Sequence, residues 1–224
     1  MVCAALLAVT LVPGKLFLVG GGSTPPEVVD RFIKECGGPK GLIIVMPLPS
    51  QEPEKSTGSA DLLKKHGAEN VYQWGYTEPT DAQRDELKKR FADVKGIWIP
   101  GGQQARFVTR LGKAWIDANI PPLVKRGVHV YGTSAGAMLC SDPMIEGPGE
   151  APDTSRTGPG IGLTKWIIDT HFSQRKREPR LRFAMKAVKN PYGLGLSEKE
   201  WVVIQGDTIL EKHGNPMVID ESKR

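Results

Sequence analysis

The stretch GVHVYGTSAGAML (Gly127–Leu139) carries an apolar, β-branched run directly into a serine set between glycines. Val128–Gly132 has the composition of a buried strand, and the small residues after Ser134 open a helix, so the serine falls at a strand-turn-helix junction of the form G-x-S-x-G. In an open parallel sheet the C-terminal strand ends face the ligand crevice. The junction therefore pushes the Ser134 hydroxyl outward, and it aims the backbone N–H of Ala135 at any oxyanion formed there.

The flanking sequence repeats this alternation. Short apolar runs at Lys15–Val19, Leu42–Met46, Asn70–Trp74 and Gly96–Pro100 read as further strands, each followed by a Gly or Pro break. Helical periods separate them at Pro26–Cys36, Asp61–His66, Asp81–Phe91, Gln104–Leu111 and Trp115–Lys125. Strands alternating with helices predict an α/β fold, a doubly wound and mostly parallel sheet flanked by helices. Beyond the serine, Pro143–Gly162 reads as a long surface loop, Pro179–Lys189 as a helix, and Trp201–Gln205, Thr208–Glu211 and Met217–Ile219 as short antiparallel strands with a Gly206–Asp207 turn.

The 224 residues suffice for one α/β domain, taken as 15–224 behind an apolar segment at 1–14. Hydrophobic residues make up 39% and charged residues 25%, which excludes a disordered chain. The net charge of +5 is spread among interleaved acids and bases, so no nucleic-acid partner is expected. Three scattered cysteines offer neither a disulfide framework nor a zinc ribbon, and Cys36 and Cys140 read as small core residues. Val2–Val12 is too short to span a membrane. It reads either as a buried first segment or as the remnant of a signal peptide, which leaves the compartment open between cytoplasm and export. Gly20–Gly22 follows a strand without G-x-G-x-x-G spacing, so no nucleotide or other cofactor is expected.

A serine hydroxyl needs a base to become a nucleophile. His66 and His213 read as surface residues and His129 as a satisfied core histidine. His171 differs, because in WIIDTHFSQRKREPRL (Trp166–Leu181) a strand-like run ends in Asp169, the histidine and a dense polar cluster. Arg175, Lys176, Arg177 and Arg180 crowd the start of the following helix, where the dipole disfavours cations, and this points to a compensating anion such as a substrate carboxylate.

Together GTSAGA, IWIPGGQQ (Ile97–Gln104) and DTHFSQRKREPRL (Asp169–Leu181) resemble the cyanophycinase branch of the peptidase E-like serine peptidases, from about Leu16 to Asp220. The resemblance implies a fold similar to class I glutamine amidotransferases and metal-free hydrolysis of aspartyl or β-aspartyl peptide bonds. It implies Ser134 as nucleophile, His171 as base and Glu198 as the acid orienting it, with Glu150 a second candidate for the acid. Gly102 and Ala135 match the oxyanion donors. Gln103, Asp169, Arg175, Arg177 and Arg180 match substrate contacts, together with Thr170, which stands where cyanophycinases usually carry glutamine. An α-aspartyl dipeptidase similar to peptidase E, and a non-catalytic module binding acidic peptides, remain alternatives; a homodimer is compatible with either.

Overall fold

A computed structural model describes residues 12–223. The expected N-terminal segment lies almost wholly outside the described residues. The first half of the chain alternates β1 (Lys15–Val19), α1 (Pro26–Glu35), β2 (Leu42–Val45), α2 (Gly58–Lys65), β3 (Val71–Gln73), α3 (Asp81–Arg90), β4 (Val94–Ile99), α4 (Gln104–Leu111), α5 (Lys113–Lys125) and β5 (His129–Thr133). Then follow α6 (Ala135–Met138), β6 (Met144–Pro148), β7 (Ser155–Gly158), β8 (Ile167–Thr170), α7 (Glu178–Ala187), β9 (Tyr192–Leu196), β10 (Trp201–Gln205), β11 (Thr208–His213) and β12 (Met217–Asp220).

The central sheet has the order β11-β10-β1-β5-β4-β2-β3. Its five strands from β1 to β3 are parallel, and β10 and β11 extend it antiparallel beyond β1. The expected mostly parallel, helix-flanked sheet is therefore present. Because side chains alternate across a strand, each strand feeds two cores. Phe17 and Val19, Trp98 and Tyr131 face α1 and α2, while Leu16 and Leu18, Ile97 and Ile99, and Val130 face α4 and α5. On the first face Trp98 stacks on Tyr131 at 3.5 Å, and Phe32 of α1 meets both edge-on. Cys36 and Cys140 are buried as expected, and burial pushes both thiols up, Cys140 to about 12.

Local chemistry fixes the weaker elements. α3 has almost no apolar face, yet it starts cleanly because Thr80 and Gln83 exchange side-chain-to-backbone hydrogen bonds of 3.3 and 2.9 Å. The expected surface loop at Pro143–Gly162 is corrected to a hairpin of β6 and β7. Met144 and Ile145 at its start are inaccessible, and the Gln104 side chain donates to the carbonyls of Ile145 and Glu146 at 2.7 and 3.0 Å. The tail is divided between two sheets: β10 and β11 join the central one, whereas β12 pairs with β9 in a second sheet of order β12-β9-β8.

The turn after β5 is packed against the end of β4. A Cβ on Gly136 would lie 2.0 Å from the carbonyl oxygen of Ile99. Gly136→Ala is therefore expected to cost roughly 2–3 kcal/mol through overpacking, seen as a fall in thermal midpoint of roughly 4–12 °C for a chain of this size.

Candidate active site

The C-terminal ends of the neighbouring strands β1, β5 and β4 deliver three glycine-bearing turns to one place. Ser134, directly after β5, adopts φ 52° and ψ −114°, a conformation that non-glycine residues rarely hold. The strain falls on the serine itself. Its flanking glycines serve close packing instead, since a Cβ on Gly132 would meet the Gly136 carbonyl oxygen at 2.5 Å.

Three consecutive carbonyls at the end of β1 hold the remaining parts. Val19 accepts from the Ser134 N–H at 2.9 Å, Gly20 from the His171 N–H at 2.8 Å, and Gly21 from the Lys199 N–H at 3.0 Å. His171 leaves β8 with φ 50°. Its imidazole reaches back over β1, and a Cβ on Gly21 would strike Cε1 at 2.5 Å. A Cβ on Gly22 would sit 3.0 Å from the Glu198 Cβ, and one on Gly20 would lie 2.0 Å from the Ser197 carbonyl oxygen. The glycine run thus makes room for the histidine and the glutamate. Sequence reasoning assigned it no role, and only the missing side chains at three successive positions could have signalled one.

The side chains then form a relay. Ser134 Oγ lies 2.9 Å from His171 Nε2, and His171 Nδ1 lies 2.7 Å from Glu198 Oε1. A carboxylate only accepts, so Nδ1 carries the proton and donates, leaving Nε2 to accept from the serine hydroxyl. The imidazole is 14% exposed and the glutamate 38%. Gln174 steadies this arm by accepting from the Glu198 N–H at 3.1 Å, and Glu200 accepts from the Ser197 N–H at 2.7 Å. Glu150 is exposed in the β6–β7 turn and touches none of these groups.

Beside the serine, Gly101 packs so closely that a Cβ there would lie 3.4 Å from the Ser134 Cβ. Gly102 has φ 144°, and a Cβ would lie 2.3 Å from the Pro49 carbonyl oxygen. The N–H groups of Gly102 and Ala135 donate to no other group among the described residues, so both are unengaged. The next N–H, that of Gln103, is taken by the Pro49 carbonyl at 2.9 Å.

Of the other histidines His213 is exposed as read, whereas His66 and His129 are both half-buried. His129 Nδ1 accepts from the Lys15 N–H at 3.0 Å, and burial pushes its pKa down. His66 pairs with Asp30, and His213 stacks on Trp201.

The arginine cluster requires a correction. Asp169 and Thr170 are fully buried, so neither faces a ligand. Arg180 grips both oxygens of Asp169, with Nε to Oδ2 at 2.8 Å. Arg177 reaches Oδ1 at 3.3 Å and donates to the Thr170 carbonyl at 2.7 Å. The anion that compensates the crowded helix start is internal to the protein. Burial pushes the Arg177 guanidinium down to about 10 despite the opposing pull of Asp169. Arg175 is exposed and has no ion-pair partner among the described residues. Nor do the described residues gather three or more His, Cys, Asp or Glu side chains in a group that could hold a metal ion.

The chain as a whole has relatives among known proteins. The sequence pattern of Peptidase family S51 matches residues 17–212. A cyanophycinase of Synechococcus elongatus is 29% identical over 217 residues, covering 92% of this chain and 67% of that protein. A cyanophycinase of Nostoc sp. (strain PCC 7120 / SAG 25.82 / UTEX 2576) is 30% identical over 199 residues, covering 86% and 67%. Among solved structures, a peptidase from an acI-B1 Actinobacterium superposes with a TM-score of 0.63 at 17% identity, covering 95% of this chain and 89% of that one. A putative peptidase E protein from Listeria monocytogenes EGD-e gives 0.58 at 16%, covering 90% and 100%. The two structures speak for the fold alone.

Arg180→Gln breaks the bidentate clasp and leaves a fully buried carboxylate underpaired. The expected loss of stability is about 3–5 kcal/mol, read from urea or thermal unfolding.

Proposed function

The chain belongs to peptidase family S51, and from that premise we propose that it is a serine peptidase cleaving aspartyl or β-aspartyl bonds, of the β-Asp-Arg type, through an acyl-enzyme. The observation that carries this reading is the continuous relay from Ser134 Oγ through His171 to Glu198, at 2.9 and 2.7 Å. As the oxygen attacks the substrate carbonyl, Nε2 takes its proton, and Glu198 holds the imidazolium that forms. The carbonyl oxygen gathers negative charge within reach of the Gly102 and Ala135 N–H groups, whose fixed orientation stabilises it without reorganisation. His171 then protonates the nitrogen, the amine departs, and the acyl group remains on Ser134. Water enters, gives its proton to Nε2, and attacks the ester. Collapse returns the proton to Oγ and frees the acid.

The substrate class rests on the cyanophycinase relatives. Purified protein incubated with β-Asp-Arg and with α-linked Asp dipeptides, and assayed for released amine, tests it. Faster turnover of the α-linked set would move the reading to a peptidase E-like dipeptidase. No turnover of either, together with no reaction with a serine-directed phosphonate, would make the chain a binding module.

Ser134→Ala is expected to lower kcat by about three orders of magnitude or more while the fold persists. His171→Ala and Glu198→Ala are expected to act as one unit, so the double variant should lose far less than the product of the single losses. Multiplicative losses would place Glu198 outside the relay.

A further inference from the structure

The strand order fixes which side of Ser134 each half of a substrate must occupy. β5, which carries the serine, lies between β1 and β4. His171 is fastened to the β1 end through the Gly20 carbonyl, whereas Gly101, Gly102 and Gln103 follow β4. The leaving amine receives its proton from His171, so it departs on the β1 side. The acyl part, bonded to Ser134 with its oxygen toward the Gly102 N–H, therefore extends over the β4 side.

A cleft of about 720 Å³ opens on that side. Its wall begins at Gln103, the residue after Gly102, and continues along the first turns of α4 through Arg106, Thr109 and Arg110, with Arg84 and Glu78 opposite. Arg106, Thr109 and Arg110 share one face of the helix by their spacing. The three arginines differ in how they are occupied. Arg84 donates to the carbonyls of Leu111 and Arg110, at 2.8 and 3.0 Å. Arg110 donates to those of Leu48, Ser50 and Gln51, and burial and the neighbouring charge of Arg106 push its pKa down. Arg106 makes a single long contact, to the Pro49 carbonyl at 3.4 Å. That contact ties its guanidinium to the carbonyl that also holds the Gln103 N–H, and leaves most of its donors unused. α4 has no acid in its first turn and no ion pair reaches Arg106 among the described residues; Glu54, nearby, is engaged by Thr77. Glu78 is the one carboxylate along the wall and is exposed.

We infer that Arg106 reads the carboxylate of the acyl-side residue, so that this cleft selects substrates whose attacked residue is acidic. An α-linked aspartyl residue presents its side-chain carboxylate there, and a β-linked one its α-carboxylate. Either supplies the planar anion that a guanidinium binds with paired hydrogen bonds. The assignment rests on the serine-peptidase reading, and it moves anion recognition from α7, where Arg177 and Arg180 are spent on Asp169, to α4.

Two fluorophosphonates test it, one bearing a carboxylate on its acyl-side group and one the carboxamide isostere. Each is used to label intact wild-type protein, Arg106→Gln and Arg106→Lys, and attachment at Ser134 is followed by mass spectrometry. The expected result is that wild type labels at least ten times faster with the acidic probe, Arg106→Gln brings the ratio of the two rates close to one, and Arg106→Lys recovers part of it. Labelling of Arg106→Gln by the neutral probe reports that its fold and nucleophile survive. Should that variant fail to label, Gln103→Glu, which sets a repelling charge at the cleft mouth, must lower the ratio in its place. A ratio that persists in Arg106→Gln or in Gln103→Glu overturns the assignment. So does a wild-type protein that labels equally with both probes, in which case the peptidase reading stands. Labelling by neither probe removes the peptidase reading and the assignment with it.

Discussion

The site depends on the main chain at the end of β1. Within three residues the carbonyls of Val19, Gly20 and Gly21 receive the N–H groups of Ser134, His171 and Lys199. Serine, histidine and the neighbour of the glutamate are thereby referred to one short piece of backbone at the middle of a buried sheet. Hydrogen bonds of this kind are insensitive to side-chain identity but demand close approach, and close approach is what glycines at 20, 21 and 22 permit. The positive φ values of Ser134 and His171 belong to the same arrangement, because strained residues persist only where the surroundings over-determine them.

Charge is handled differently on the two flanks of the serine. On the His171 side the half-buried arginines of the α7 start close around the buried Asp169. A buried ion pair gives little net stability relative to an apolar equivalent, but it makes the loss of either partner expensive. It also fixes the chain that follows His171, since Arg177 clasps both Asp169 and the Thr170 carbonyl, the two residues that precede the histidine. On the β4 side the guanidinium of Arg106 is left nearly unengaged. The α7 arginines hold the histidine segment in place, whereas Arg106 is free to meet solvent or ligand.

The sheet was legible because its strands are apolar runs closed by Gly or Pro, and Lys15–Val19 and Gln104–Leu111 have the expected limits. β9 was missed because Tyr192–Leu196 alternates with glycines whose places are filled by Met185 and Phe172 from other elements. The β6–β7 hairpin was hidden by its Gly and Pro content, and it is held by hydrogen bonds from Gln104, about forty residues earlier by sequence separation, a partner that no local pattern reveals. At the site, G-x-S-x-G located Ser134, and the resemblance paired it with His171 and Glu198, which the fold brings into hydrogen-bonding range. The partner of the arginines was misread for a physical reason: the aspartate eight and eleven residues before them counts as one more polar residue in sequence, and becomes an internal counter-ion only when β8 is buried.

The anchoring by β1 also sets when the site can exist. Its three carbonyls belong to the end of β1, and their partners come after β5, the last of them at Lys199. Contacts over such separations form late, because loop-closure entropy must be overcome first. During synthesis β1 emerges long before the residues that complete the relay. A ribosome-bound chain therefore holds Ser134 apart from its hydrogen-bonded histidine and glutamate until residues near 200 have emerged, so an unfinished polypeptide has the residues of the site without its geometry.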